Sequence, residues 1–68
     1  MPTNTEIGDR LKNLRKKKKY TQFEVSKIVG ISVSAVTNYE SGIRIPRDEI
    51  KIKLAKLYDS TVEDIFFK

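Results

Sequence analysis

The stretch Thr21 to Gly42, TQFEVSKIVGISVSAVTNYESG, reads as two short helices with a tight turn between them. Thr21 followed by Glu24 forms a Thr-x-x-Glu capping box, in which each side chain satisfies a backbone N–H that the first helical turn leaves without a partner. A helix is therefore predicted to start near Gln22. Val25 and Val29 give it an inner stripe, the small Ser26 beside them lets another backbone come close, and Gly30 supplies the left-handed residue that ends such a helix. Ser32 is a good N-cap for a second helix beginning at Val33. In that helix Ala35, Val36 and Tyr39 fall on one side and Val33, Ser34, Thr37, Asn38 and Ser41 on the other, until Ser41-Gly42 closes it.

The short gap between the two helices is the spacing of a helix-turn-helix. The residues that carry more than spacing are Thr21-Gln22, the aliphatic-small pair Val25-Ser26, Val29-Gly30-Ile31-Ser32 and Val36-x-x-Tyr39-Glu40-Ser41-Gly42. In this order they resemble the Cro and phage-repressor helix-turn-helix family, also called Xre-like. The likeness runs on from Ile7-Gly8-x-Arg10-Leu11 through Leu14-Arg15 to Val62-Glu63-Asp64-Ile65-Phe66. It implies an all-α fold, a compact five-helix bundle of the lambda-repressor-like type with its helix-turn-helix core at 22–41. It also implies sequence-specific binding of double-stranded DNA by a transcriptional regulator, a bacterial or prophage repressor that acts by occupying a promoter.

The rest of the chain fits five helices and no strand. Residues 1–5 are expected to form a flexible N-terminal arm, and residues 6–68 the DNA-binding domain. Either Thr3 with Glu6, or Thr5 alone, caps a first helix from about Glu6 to Lys18, whose buried stripe is Ile7, Leu11 and Leu14. Tyr20 turns inward after it. Asp48 is the expected cap of a fourth helix with Ile50, Leu54, Leu57 and Tyr58 inside, and Thr61 with Asp64 is a capping box for a last short one. Against the family pattern, Lys19 and Asp59 stand where glycine, or asparagine at Lys19, is usual, Lys51 where an apolar residue is common, and Ile43 and Ile45 where lysines are frequent. The two isoleucines either pack beneath the loop after Gly42 or form an exposed apolar spot.

Sixty-eight residues allow one small domain, without cysteine for a disulfide or histidine for a metal cluster. Lys and Arg number 14 against 9 Asp and Glu, a net charge of +5, and the seven basic residues between Arg10 and Lys19 are interrupted by no acid. The end from Asp59 to Lys68 is mildly acidic instead. This asymmetry suits a polyanion held on one side, although the lysine run is equally read as a solvated face with cations well placed at a helix C-terminus. The opening MPTNTE is unlike a signal peptide, and no apolar run approaches the ~20 residues that span a bilayer, so a cytoplasmic location is expected. The residues offer no histidine or cysteine nucleophile, no phosphate-cradling glycine loop and no catalytic carboxylate pair, and neither an enzyme, a cofactor nor a small-molecule ligand is expected.

Within the family's docking mode, Val33, Ser34, Thr37 and Asn38 match the base-reading positions. Asn38 has the groups for a paired contact to adenine, Val33 for a thymine methyl, and Ser34 and Thr37 to donate or accept. With no arginine or lysine among them, half-sites rich in A·T are expected. Gln22, Arg44, Arg47 and Lys19 match or lie near phosphate-contacting positions. Glu40 opposes both its helix dipole and an approaching phosphate, and the resemblance pairs it with Arg15. The family binds inverted-repeat operators as a homodimer, for which Ile65 and Phe67, with Ile52 as a further candidate, are the expected interface, unless Phe67 simply completes the core. The competing class is an antitoxin or other protein-interaction module that uses DNA binding for autoregulation.

Overall fold

The computed structural model describes all residues from Met1 to Lys68. Five helices follow one another: α1 Asn4–Lys17, α2 Gln22–Val29, α3 Val33–Glu40, α4 Asp48–Leu57 and α5 Glu63–Phe67. Of the two caps open to α1, Thr3 is the one used: its hydroxyl accepts from the Glu6 N–H at 3.1 Å and the Glu6 carboxylate accepts from the Thr3 N–H at 3.1 Å. The helix therefore begins at Asn4 and takes in Asn4 and Thr5, two residues of the expected arm. The Thr21–Glu24 box at the start of α2 has the same reciprocal form.

Each of the first four helices stops on a left-handed residue, namely Lys19, Gly30, Gly42 and Asp59. The Tyr20 N–H donates back to the Arg15 carbonyl, Ile43 to Asn38 and Ser60 to Ala55, the six-to-one bond of a Schellman ending. At two of these corners glycine is absent, and Lys19 and Asp59 hold φ of 61° and 52°. The ends remain sharp despite the departure from the family pattern, and the Lys18 ammonium pairs with Asp59 to tie the two corners together. A left-handed non-glycine residue costs about 1–2 kcal/mol, against the smaller entropic cost of ordering a glycine. Lys19→Gly is therefore expected to stabilise the fold by about 0.5–1 kcal/mol, raising Tm by about 3–6 °C for a domain this size. Thermal unfolding that shows an unchanged or lower Tm contradicts this account of the corner.

Burial follows the expected stripes. Ile7 and Leu11, Val25 and Val29, Val36 and Tyr39, Ile50, Leu54, Ala55 and Tyr58, and finally Ile65 and Phe66 make one core, with Leu14, Tyr20 and Leu57 packed at its edge. α1 and α5 pack together, as do α1 with α3, and α2 with both α3 and α4. Gly8 is buried where α1 passes the end of α3. Ser26 is buried too, its hydroxyl donating to the Phe23 carbonyl at 2.6 Å.

Two further expectations need correction, and one open alternative is resolved. α4 begins one residue early: Arg47 is its N-cap, without a side-chain bond, and Asp48 is the first helical residue. Pro46 is fully buried just before this cap, and the chain turns helical directly after Arg47. Asp48 instead lies 3.6 Å from the Lys51 ammonium and puts negative charge on the dipole's positive end. Of the two alternatives for the loop, Ile43 and Ile45 take the exposed one, and Pro46 is the residue of the loop that is buried.

The largest correction concerns Ile65, which is 1% exposed and belongs to the core, so it has no surface to offer a second copy. The cause is helical spacing, since Val62, Ile65 and Phe66 share the face of the last turn that packs on the core. Only half of the Thr61–Asp64 box forms, with the Asp64 N–H donating to Thr61 Oγ1 at 3.0 Å. The helix then widens into π-type bonding, Lys68 N–H to Glu63 carbonyl at 2.9 Å. The Arg10 guanidinium stitches this end to α1 by donating to the Asp64 and Ile65 carbonyls at 3.3 and 3.1 Å. Phe67 remains 47% exposed. The Lys51 stem fills the place the family gives to an apolar side chain, with its ammonium 5.7 and 5.0 Å from the Phe66 and Phe67 ring centres.

Candidate nucleic-acid interface

Helix α3 is started by Ser32, whose hydroxyl accepts from the Ala35 N–H at 3.0 Å, after the Gly30 corner has turned the chain at φ 80°. Its inner residues Val36, Tyr39 and Glu40 are buried. On its outer side Val33, Ser34 and Thr37 are exposed and Asn38 is half-buried. The four side chains expected to read bases thus share the open face of one helix.

What holds this helix is a polar row. Arg15 grips Glu40 with both prongs, Nε to Oε2 at 2.7 Å and Nη2 to Oε1 at 3.0 Å, while its Nη1 donates to the Tyr20 carbonyl at 2.9 Å. The side chains are 11% and 6% exposed, which puts the pair among buried ion pairs. Hydrogen bonding to Glu40 raises the guanidinium's pKa above its ordinary value, against the opposing effect of burial. Burial, and then the negative charge of Glu40, push the neighbouring Tyr58 phenol up to about 12.

The row continues outward. Gln22 Nε2 donates to Glu40 Oε1 at 3.2 Å, and Thr37 Oγ1 donates to Gln22 Oε1 at 3.0 Å. Gln22, expected to face phosphate, therefore spends its oxygen and one of its two amide N–H groups inside the protein. The link from Gln22 to Thr37 has no sequence signal, since it depends on how α2 crosses α3. Arg10 is a second residue whose structural bonds the sequence does not announce.

Arg44 and Arg47 are exposed and line a hollow of about 370 Å³ with Ser32 and Ala35 at the start of α3. Both lie beside the N-terminal half of the helix, the part that enters the groove in helix-turn-helix docking. Lys19 is exposed at the corner leading into α2. Phe67 and Ile52 are about half exposed, at 47% and 48%, away from the core. No helix is long and apolar enough to cross a membrane.

The family profile described as helix-turn-helix matches residues 11–65. The chain belongs to the helix-turn-helix family. Among helix-turn-helix proteins it is 40% identical over 57 residues to the transcriptional regulator AnsR of Bacillus subtilis (strain 168), covering 84% of this chain and 49% of that one. It is 34% identical over 62 residues to the regulator ImmR of the same organism, covering 91% and 49%. The chain thus spans about half the length of these relatives. The fold matches the crystal structure of the restriction-modification controller protein C.AhdI from Aeromonas hydrophila with a TM-score of 0.84 and 28% identity, over 93% of this chain and 96% of that one. The helix-turn-helix fold and the Xre-like resemblance therefore agree.

Proposed function

We propose that this chain binds double-stranded DNA sequence-specifically, as a transcriptional repressor that occupies a promoter. The observation that carries this reading is the exposed face of α3 with Val33, Ser34, Thr37 and Asn38, on a helix that has Arg44 and Arg47 together beside its start and is anchored from behind by Arg15 and Glu40. The relatives it resembles in sequence are named as transcriptional regulators. α3 lies in the major groove, Arg44, Arg47, Lys19 and the remaining Gln22 N–H face phosphates, and the Arg10–Lys19 run adds general attraction.

Binding to an operator duplex is expected to weaken steeply between about 50 and 200 mM salt. Arg44→Ala weakens all sequences alike and lowers the salt slope by about 1, whereas Asn38→Ala costs about 1–3 kcal/mol at one base pair. Selection from a random DNA pool is expected to return half-sites dominated by A·T. Salt-independent binding, or a consensus of G·C pairs only, contradicts the reading.

Two copies act on an inverted repeat with half-sites about 34 Å apart. Phe67 and Ile52 are the exposed apolar residues offered to the second copy, in place of Ile65. Sedimentation is expected to show two protomers on one operator and a loss of that state in Phe67→Lys. A monomer both free and on DNA removes the dimer.

A further inference from the structure

Among the four reading side chains, only that of Thr37 is hydrogen-bonded within the protein. Its Oγ1 lies 3.0 Å from Gln22 Oε1 and 3.1 Å from the Val33 carbonyl oxygen. A threonine hydroxyl has one proton and two lone pairs. Both neighbours are acceptors, so whichever takes the proton, it is used inside.

The orientation of the Gln22 amide is set from its other end. The same amide lies 3.2 Å from Glu40 Oε1, and an ionised carboxylate only accepts. Turning the amide over would set oxygen against oxygen. Glu40 cannot swing away, because Arg15 grips both its oxygens and the residue is 9% exposed. The charge of Arg15 thus dictates the direction of each bond out to Thr37.

We propose that Thr37 reads DNA as a hydrogen-bond acceptor, taking an exocyclic amine, adenine N6 or cytosine N4, and not a base acceptor such as purine N7, guanine O6 or thymine O4. Accepting from an amine adds a bond to the two-acceptor arrangement. Donating to a base acceptor only exchanges an internal bond for an external one. Gln22 and Glu40 then act as positioning residues for specificity, without touching a base. This inference rests on the DNA-binding reading above.

Selection from a random duplex pool with the wild type and with Thr37→Val, which keeps the shape and removes the hydroxyl, locates the facing base pair as the one whose preference changes. Duplexes are then made in which that pair lacks its amine (purine for adenine, or pyrimidin-2-one for cytosine) or lacks purine N7 (a 7-deazapurine). Amine deletion is expected to weaken the wild type about three- to tenfold and to leave Thr37→Val unaffected. N7 deletion is expected to act equally on both proteins, and Thr37→Ser to behave as the wild type. An N7 loss that vanishes in Thr37→Val overturns the inference with DNA binding intact. So does an amine loss shared equally by both proteins, or a Thr37→Val selection identical to that of the wild type. If the wild type selects no sequence, the DNA-binding reading fails and the inference with it.

Discussion

Arg15→Ala is expected to destabilise the fold by about 3 kcal/mol, a large part of the roughly 5 kcal/mol available to a domain this small. The loss comes less from the attraction removed than from what remains. Glu40 would keep a buried charge with only the Gln22 amide to answer it, since both of its short bonds come from Arg15. The Tyr20 carbonyl loses its side-chain donor as well. Chemical denaturation measures the effect, and a loss below about 1 kcal/mol would show the pair to be no more than a surface contact. The double variant Arg15→Met with Glu40→Leu is expected to recover much of the stability, because it leaves no charge uncompensated. It would still lose the fixed Gln22 amide, and with it the ordered presentation of Thr37.

Gly8→Ala is expected to lower Tm by about 10–15 °C, from a net loss of about 2 kcal/mol. At an ordinary position inside a helix the same change stabilises by about 1 kcal/mol. Here a Cβ would stand 2.4 Å from the Glu40 carbonyl oxygen and 2.9 Å from that of Tyr39, both main-chain atoms that no rotamer change can move. α1 and the end of α3 would have to separate, carrying Glu40 away from Arg15. A rise in Tm on thermal unfolding would mean that the two helices part without cost.

The elements written in short-range chemistry were legible in the sequence. The Thr21–Glu24 box, the Gly30 corner, the Ser32 cap and the outer side of α3 each depend on residues a few positions apart. The pairing of Arg15 with Glu40, 25 residues apart, was available only through family resemblance. Contacts set by how helices cross stayed hidden, among them Gln22 with Thr37, Arg10 on the α5 carbonyls and Lys51 over two phenylalanine rings. Register slipped where a local signal met a tertiary one. Asp48 looks like a cap by residue type but is already the first helical residue, and Ile65 shares the inward face of the last turn with Val62 and Phe66.

The outer side of α3 has a bearing on how such a protein diverges. Val33 and Ser34 are exposed and neither is hydrogen-bonded through its side chain, so exchanging either costs the fold about 0.5 kcal/mol or less. If these two positions read bases as proposed, descendants of one gene can drift to new operators through them without passing through an unstable intermediate. Thr37 is less free, because its hydroxyl closes the row that begins at Arg15. Duplicated copies in one genome should vary first at 33 and 34 and last at 37, a lineage pattern imposed by one hydrogen bond.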